Sequence, residues 1–213
     1  MKKIKNIMIS VLLLMISGGS LVQAQSEFYA PTNPLNSFDF EHDTQGWMIP
    51  EWTIGREDYV GQYLLLGNEK SLKNNLSLKL VCKFPRGSWA AALVEYEPRR
   101  LIKGGSDISV DVFLPKKARG SEFKARIIIT FDKSWRILEG GAVTLKPGKW
   151  NKVSLRLNPC ETVDRRISLQ ENNDSADMES ISKIAVRVER EATAWDKKRR
   201  FKGPIYIDNI LIR

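Results

Sequence analysis

The sequence predicts an all-β fold, a two-sheet antiparallel β-sandwich, and three observations support this. Apolar and polar residues alternate over several segments from residue 38 onward. Clusters of glycine and proline separate those segments, as at 103–106, 115–120 and 146–148. No window of about 12 residues has the apolar spacing of an amphipathic helix. Roughly nine or ten short strands joined by turns imply two packed antiparallel sheets.

The individual strands follow from the apolar positions. In a strand with one buried face, successive side chains point to opposite faces, so every second residue is apolar. The segments that show this alternation are 76–84, 108–114, 123–131, 150–157, 184–188 and 205–212. In the third of them, Phe123, Ile127 and Phe131 would face inward and Arg126 outward. The segments end at turn signals, so a single sandwich domain is expected over 38–213.

The first 24 residues have the pattern of a secretory signal peptide. Lys2, Lys3 and Lys5 precede an apolar run over 7–16, and small residues lead up to Ala24. The run is shorter than the roughly 20 residues of a membrane-spanning helix. We expect cleavage after 1–24, a tether over 25–37 and a secreted protein, periplasmic or extracellular, without stable membrane insertion. The alternative is an N-terminal anchor that is never cut.

Charge and cysteine content limit the classes of partner. The formal net charge is +9, and removal of the three signal-peptide lysines leaves +6. Basic proteins bind nucleic acid, anionic lipid or acidic glycans, and export argues against nucleic acid as a partner. Cys82 and Cys160 could pair in an oxidising compartment. The alternative is two separate thiols, with Cys82 as a small core residue.

Four segments carry a resemblance that extends over almost all of 38–212. They are Phe38-Asp-Phe-Glu41 with Gly46-Trp47, Ser109 to Pro115, Leu145 to Val153, and Gly203 to Ile212. In this order they resemble the opening strand, a central strand, a turn with a tryptophan, and the closing strand of galactose-binding-like β-jelly rolls. This group includes many carbohydrate-binding modules of bacterial glycanases. The resemblance implies a jelly-roll sandwich and leaves the ligand open, because such folds host many functions.

The resemblance also implies a structural calcium ion that joins the first and last strands. The matching positions are Glu41 and Asp208. Calcium takes six to eight oxygen ligands, which carboxylates and backbone carbonyls supply. A metal between the two ends of the domain would close its longest loop, where the entropy of closure is greatest. The alternative is that both are ordinary edge carboxylates satisfied by backbone N–H groups.

Catalytic signatures are sparse. Glu95 and Glu97 share one strand face, and such a pair is more typical of a charged sheet surface than of an acid–base pair. The Glu-x-Asp-x-x-Glu spacing of jelly-roll glucanases is absent, and the one histidine, His42, lies in a turn. A non-catalytic protein is therefore expected. The alternatives are a small secreted glycoside hydrolase or polysaccharide lyase, and a surface adhesion or structural domain.

Six tryptophans are candidates for sugar contact, because a flat aromatic face packs on the apolar side of a pyranose. The resemblance assigns Trp47 and Trp150 to the core. The remaining four, in predicted loops or at predicted strand ends, are Trp52, Trp89, Trp135 and Trp195.

Three arginines, Arg126, Arg156 and Arg187, occupy outward positions of predicted strands. If those strands are neighbours, the arginines form a stripe across one sheet. This stripe could be a solvated basic face or a groove that binds a glycan. Arginine donates in pairs to hydroxyls and carboxylates, so a basic groove would favour uronic or sulfated chains, with neutral β-glycans as the alternative.

The expected ligand is a plant- or algal-type polysaccharide on a concave sheet face, with a separately encoded glycanase as a candidate partner. The predicted ligand-binding residues are Trp89, Glu95, Arg126, Trp135, Arg156 and Arg187.

Overall fold

The structure, a computed structural model, describes residues 37–98, 107–118, 121–131, 136–157, 181–191 and 200–213. These residues contain eleven strands, two short 3-10 turns and, within those ranges, no α-helix. The predicted signal peptide (1–24), the tether up to residue 36, Trp135, Cys160 and Trp195 lie outside the described residues. None of the helical turns in the described ranges is long and apolar enough to cross a membrane.

The strands form two antiparallel sheets, which confirms the predicted sandwich. Sheet A has the order β2-β3-β11-β5-β9, with β1 paired to β11, and sheet B has the order β4-β10-β6-β7, with β8 paired to β6. The bounds are β1 Ser37–Phe38, β2 Gly61–Gly67, β3 Ser77–Phe84, β4 Ala90–Tyr96, β5 Asp107–Leu114, β6 Phe123–Phe131, β7 Ile137–Glu139, β8 Val143–Thr144, β9 Lys149–Arg156, β10 Ile181–Arg190 and β11 Phe201–Ile212.

The core lies between the sheets and follows the predicted alternation. The inward side chains of β5 and β6, among them Val110, Val112 and Ile127, are buried. At one end of the sandwich the Phe84 and Phe123 rings meet edge to face, with centroids 5.0 Å apart. The burial of this aliphatic and aromatic surface is the main stabilising contribution to the fold.

Two parts of the aromatic prediction have different outcomes. Trp47 is buried in the core, as expected, beside Phe38 and Tyr96. Trp150 is half-buried, and its ring lies 5.5 Å from that of Phe113, which is not part of the main core cluster. Val153, three residues further along β9, faces the core. Because successive side chains point to opposite faces, Trp150 lies on the outer face of sheet A. The assignment of Trp150 to the core was wrong.

The first strand is shorter than the expected 38–41. Only Ser37 and Phe38 pair with β11, at Leu211 and Ile210. Phe40 has a φ of 58°, which lies in the left-handed region and cannot continue an extended strand. The chain therefore turns away from sheet A directly after Phe38.

Cys82 is a buried free thiol in β3. Its thiol donates to the Gly203 carbonyl at 3.2 Å. Burial raises the pKa of the thiol, with a smaller opposing effect from the Lys117 charge. A thiol that stays protonated is a poor nucleophile, so Cys82 serves as a core residue.

Candidate functional site

The outer face of sheet B carries a small apolar floor. Leu93 of β4, Ala185 of β10 and Ile128 of β6 form a cluster separate from the main core, and Tyr59 packs against it. Because side chains alternate along a strand, these three point away from the space between the sheets. Each is nevertheless buried, so neighbouring side chains on this outer face must surround them.

An aromatic wall of Trp52, Tyr59 and Trp89 borders this floor at the edge of β4. The Val60 N–H donates to the Ala91 carbonyl at 2.7 Å, and the Ala91 N–H donates to the Asp58 carbonyl at 2.8 Å. These bonds place Tyr59 beside Ala91. The Tyr59 ring meets Trp52 at 4.9 Å and Trp89 at 6.2 Å between centroids, both edge to face.

The aromatic wall is partly open to solvent. Trp52 is 47% exposed and Trp89 is 38% exposed. The Arg56 guanidinium lies 5.1 Å from the centre of the Tyr59 ring. The same guanidinium donates two hydrogen bonds to the Asp58 carboxylate, at 2.9 and 2.8 Å. Exposed indole faces beside fixed polar groups are the features that recognise a sugar ring.

Next to the apolar floor, two arginines and two glutamates form a closed quartet. Arg126 of β6 lies directly opposite Arg187 of β10. Glu139 accepts from Arg126 at 2.9 Å and from Arg187 at 3.0 Å. Glu189 accepts from the Nε of Arg126 at 3.1 Å and forms an ion pair with Arg187 at 3.1 Å. Two positive and two negative charges therefore cancel within the quartet.

The expected stripe of three arginines is corrected by the sheet order. Arg126 and Arg187 are adjacent on sheet B, whereas Arg156 belongs to β9, an edge strand of sheet A. The Arg156 side chain is 83% exposed, with Asp107 3.8 Å away. The two sheets present their outer faces in opposite directions, so Arg156 cannot contact a ligand that lies on the quartet.

Glu95 and Glu97, the acid pair noted in the sequence, are bridged by a lysine. The Lys183 ammonium lies 2.9 Å from each carboxylate. Hydrogen bonds to Glu95 and Glu97 raise the pKa of Lys183, so the ammonium stays charged at neutral pH. Glu95 is only 8% exposed. This arrangement agrees with a charged sheet surface rather than with an acid–base pair aimed into a cleft.

Glu41 and Asp208, the expected metal ligands, both bind backbone N–H groups of the segment between β2 and β3. Glu41 accepts from Asn75 at 3.1 Å and Leu76 at 2.9 Å. Asp208 accepts from Leu72 at 2.8 Å and from Asn209 at 2.7 Å. The two carboxylates thus hold the same segment against sheet A.

The charged groups around Asp208 determine how well this position could bind a cation. Burial raises the pKa of Asp208, the Asp111 and Glu41 carboxylates raise it further, and the two N–H donors oppose them. Across the described ranges, no group of three or more His, Cys, Asp or Glu is arranged to hold a metal. Both carboxylates already accept backbone N–H groups, and Asp111 has the Lys152 ammonium 3.6 Å away, so a calcium ion here would need further oxygen ligands from backbone carbonyls.

The sequence identified part of this site. Trp89, Glu95, Arg126 and Arg187 lie on or beside the outer face of sheet B, while Trp135 lies outside the described residues. Tyr59 was missed, because it precedes β2 in a segment with no alternation and joins the sheet through an isolated bridge. Glu139 was missed because β7 has only three residues.

Comparison with known proteins finds similarity at the level of fold. No family model matches the chain, and no curated protein matches it. A structure of carbohydrate-binding modules from the beta-sandwich superfamily matches 84% of this chain and 61% of its own, with 15% identity and a TM-score of 0.55. CBM28, a module specific for non-crystalline cellulose, matches 82% of this chain and 91% of its own, with 13% identity and a TM-score of 0.53.

A third structure joins a binding module to a catalytic module. It contains the CBM22-1 and GH10 modules of a Clostridium thermocellum endo-1,4-beta-D-xylanase with xylohexaose. The match covers 85% of this chain and 28% of that one, with 13% identity and a TM-score of 0.51. The chain thus spans less than two thirds of the first and third structures. All three confirm the expected jelly-roll sandwich of the kind found in carbohydrate-binding modules.

Proposed function

We propose that this protein is an exported, non-catalytic carbohydrate-binding protein whose ligand lies across the outer face of sheet B. The observation that carries the proposal is the aromatic wall beside an apolar floor and a fixed set of charged hydrogen-bonding groups. The signal-peptide pattern over 1–24 supports export.

Each part of the face has a role in this proposal. The apolar C–H side of a sugar ring packs on Trp52 and Tyr59, where edge-to-face contacts hold the rings in place. The hydroxyls bind the rim of the quartet, where Arg187 donates and Glu139 accepts. Since the quartet is already formed, little side-chain entropy is lost when a ligand binds.

The charge of the face favours a neutral polysaccharide. The two arginines that would attract a uronate are neutralised by Glu139 and Glu189, and Lys183 is matched by two carboxylates. A neutral β-glycan of the plant or algal type is not repelled by the excess carboxylate beside Lys183, whereas a uronic chain would face glutamates at close range. Two of the matched structures name cellulose and xylohexaose as ligands.

A non-catalytic role is favoured over hydrolysis by the position of Lys183. A glycosidase needs one protonated and one ionised carboxyl on either side of a bond. Glu95 and Glu97 instead lie side by side on β4 and just after it, and share one ammonium 2.9 Å from each carboxylate. We propose that catalysis, where it is needed, comes from a separately encoded glycanase. In the xylanase structure the binding module and the catalytic module share one chain.

We further propose that a calcium ion bound at Glu41 and Asp208 stabilises the fold. Its chemistry there would be structural, because both residues hold the segment before β3 and lie on the sheet A side of the sandwich. The Asp111 and Glu41 carboxylates, which both contribute to the raised pKa of Asp208, would add to the negative charge that attracts a cation.

Affinity gel electrophoresis tests the carbohydrate proposal. The mature chain is run through gels that contain xylan, hydroxyethyl cellulose, mannan or polygalacturonate. We expect retardation by at least one neutral polysaccharide and a loss of about tenfold in affinity for Tyr59→Ala, equal to about 1.4 kcal/mol. Tyr63→Ala is the matched control, because Tyr63 is 56% exposed on β2 of sheet A. Equal losses in the two variants, or no retardation by any neutral glycan, would contradict the proposal.

A further inference from the structure

Six lysines collect at one end of sheet A. Lys202 of β11 lies directly opposite Lys83 of β3, and Lys149 begins β9 opposite Leu114, the last residue of β5. The other members follow β5 or precede β9. The six lysines, called the lysine end below, are Lys83, Lys116, Lys117, Lys146, Lys149 and Lys202. Four adjacent strands, β3, β11, β5 and β9, thus each have a lysine at this end or within two residues of it.

Two glycines let these lysines approach the sheet closely. Gly203 and Gly148 have φ values of 149° and 82°. A Cβ at Gly203 would lie 2.6 Å from the Lys117 Cε, and a Cβ at Gly148 would lie 2.6 Å from the Lys116 Cγ. Real Cβ atoms do not approach other atoms so closely. The side chains of the 3-10 turn after β5 therefore lie over β11 and the start of β9, which makes the lysine end continuous.

The charges of the lysine end are not neutralised within the described part of the chain. None of the ion pairs found there involves any of the six lysines. Among the described residues, Glu122 just before β6 and Glu191 just after β10 both pair with Lys124 instead. Lys83 and Lys202 are opposed like charges, which costs stability in a sheet. Sheet B shows the opposite arrangement, because its outward arginines are matched by glutamates.

We propose that the lysine end is a second binding surface, one that takes an acidic polysaccharide bearing carboxylates or sulfates. Strands are spaced about 4.8 Å apart, so the four strand ends form a row about 14 Å long. A row of that shape suits a linear polyanion. Lysine is a flexible point charge, which suits anionic groups at variable spacing. The proposal rests on the proposed function only in taking the polyanion to be a polysaccharide.

Binding at this surface would be electrostatic and separate from the outer face of sheet B. Exposed charges are screened within about 10 Å at 0.1 M salt, so we expect retardation by polygalacturonate at low salt that fades as salt is raised. A neutral glycan bound by aromatic stacking on sheet B would show little dependence on salt. The two surfaces can therefore be distinguished by their salt dependence alone.

Charge-matched variants test the proposal in affinity gels with polygalacturonate at 20 and 200 mM salt. The test variant is Lys117→Gln/Lys149→Gln/Lys202→Gln, and the control is Lys70→Gln/Lys73→Gln/Lys152→Gln, which removes the same charge from exposed positions elsewhere. We expect the test variant to lose about tenfold in affinity at low salt and the control to lose less than about twofold. Urea unfolding of both confirms that they are folded.

Three outcomes would overturn the proposal. One is a wild-type chain that polygalacturonate does not retard at 20 mM salt. The second is equal losses in the test and control variants, which would show an effect of net charge alone. The third is binding to vesicles of anionic phospholipid without binding to polygalacturonate, which would make the surface a membrane contact. Tyr59→Ala should leave polygalacturonate binding unchanged, because Tyr59 lies beside sheet B. The proposal for the lysine end can therefore succeed or fail independently of the proposal for sheet B.

Discussion

Arg126 and Arg187 lie directly opposite each other on β6 and β10, and the Glu139 carboxylate accepts hydrogen bonds from both. Opposed like charges destabilise an antiparallel pair. Glu139 on one side and Glu189 on the other form ion pairs with both arginines and so offset the repulsion between them. Glu189 is only 3% exposed, so the two arginines take the place of water around its carboxylate.

The first prediction concerns Glu189. Glu189→Gln keeps the shape of the side chain and removes its charge, so both arginines lose a charged partner in a largely buried place. We expect the free energy of unfolding to fall by about 1 to 3 kcal/mol, measured by urea denaturation. Glu191→Gln is the control, because Glu191 forms an exposed pair with Lys124 and such pairs contribute about 0 to 1 kcal/mol. A smaller effect for Glu189→Gln than for the control would contradict a stabilising quartet.

The second prediction concerns Trp52. It is 47% exposed and contacts Tyr59 edge to face, so Trp52→Ala removes part of the proposed sugar-binding surface with little loss of core. We expect about a tenfold loss of affinity for a neutral glycan, measured by calorimetry or affinity gel, and an unfolding midpoint close to that of the wild type. Ile54→Ala, at a 73% exposed neighbour, should bind as the wild type does. Unchanged binding by Trp52→Ala would remove Trp52 from the site.

The third prediction is a pH dependence that arises from Tyr206. Burial raises the pKa of its phenol above the usual value of 10.0, the Glu69 carboxylate adds to this, and the Lys79 ammonium opposes it. The folded chain therefore holds this proton more tightly than the unfolded chain does. Its contribution to stability is complete below pH 10 and is lost as the pH rises through the folded pKa.

Urea unfolding of the wild type and Tyr206→Phe between pH 8 and pH 11 measures this contribution. The wild type should lose stability relative to the variant above about pH 10. Tyr63→Phe, at an exposed tyrosine, should follow the wild type over the whole range. If wild type and Tyr206→Phe keep a constant difference in free energy across this range, the phenol does not titrate abnormally.

The fourth prediction concerns calcium. An ion that binds only the folded chain adds about 2.7 kcal/mol at roughly 100 times its Kd. We expect the unfolding temperature in millimolar calcium to exceed that in EDTA, and Asp208→Asn to abolish the difference. Magnesium should not replace calcium, because it requires tighter octahedral geometry.

Asp107→Asn is the matched control for the calcium experiment. Asp107 is an exposed carboxylate on the same sheet, with Arg156 as its neighbour, and its removal should leave the calcium effect in place. Identical unfolding temperatures of the wild type in calcium and in EDTA would show that Glu41 and Asp208 serve only to bind backbone N–H groups.

The sequence predicted the sandwich well because the alternation of strands is a local property. Residues 123–131 were assigned with the bounds that β6 has, since each inward position there is apolar and each outward one mostly polar. β7 and β8 were missed, because two or three residues are too few for a period of two to be visible. Trp150 was misplaced because the resemblance assigned it to the core, although it has the parity of Lys152 and Ser154, the outward residues of its strand.

The candidate site depended more strongly on tertiary structure. From the sequence alone, Arg126 and Arg187 are outward residues of two separate strands, with Arg156 as an equal third. Only the order of strands within the sheets brings the first two together, adds Glu139 and Glu189, and leaves Arg156 on the other sheet. Local periodicity determines which residues are buried in a strand, whereas strand order, set by the packing of the whole core, decides which charges meet.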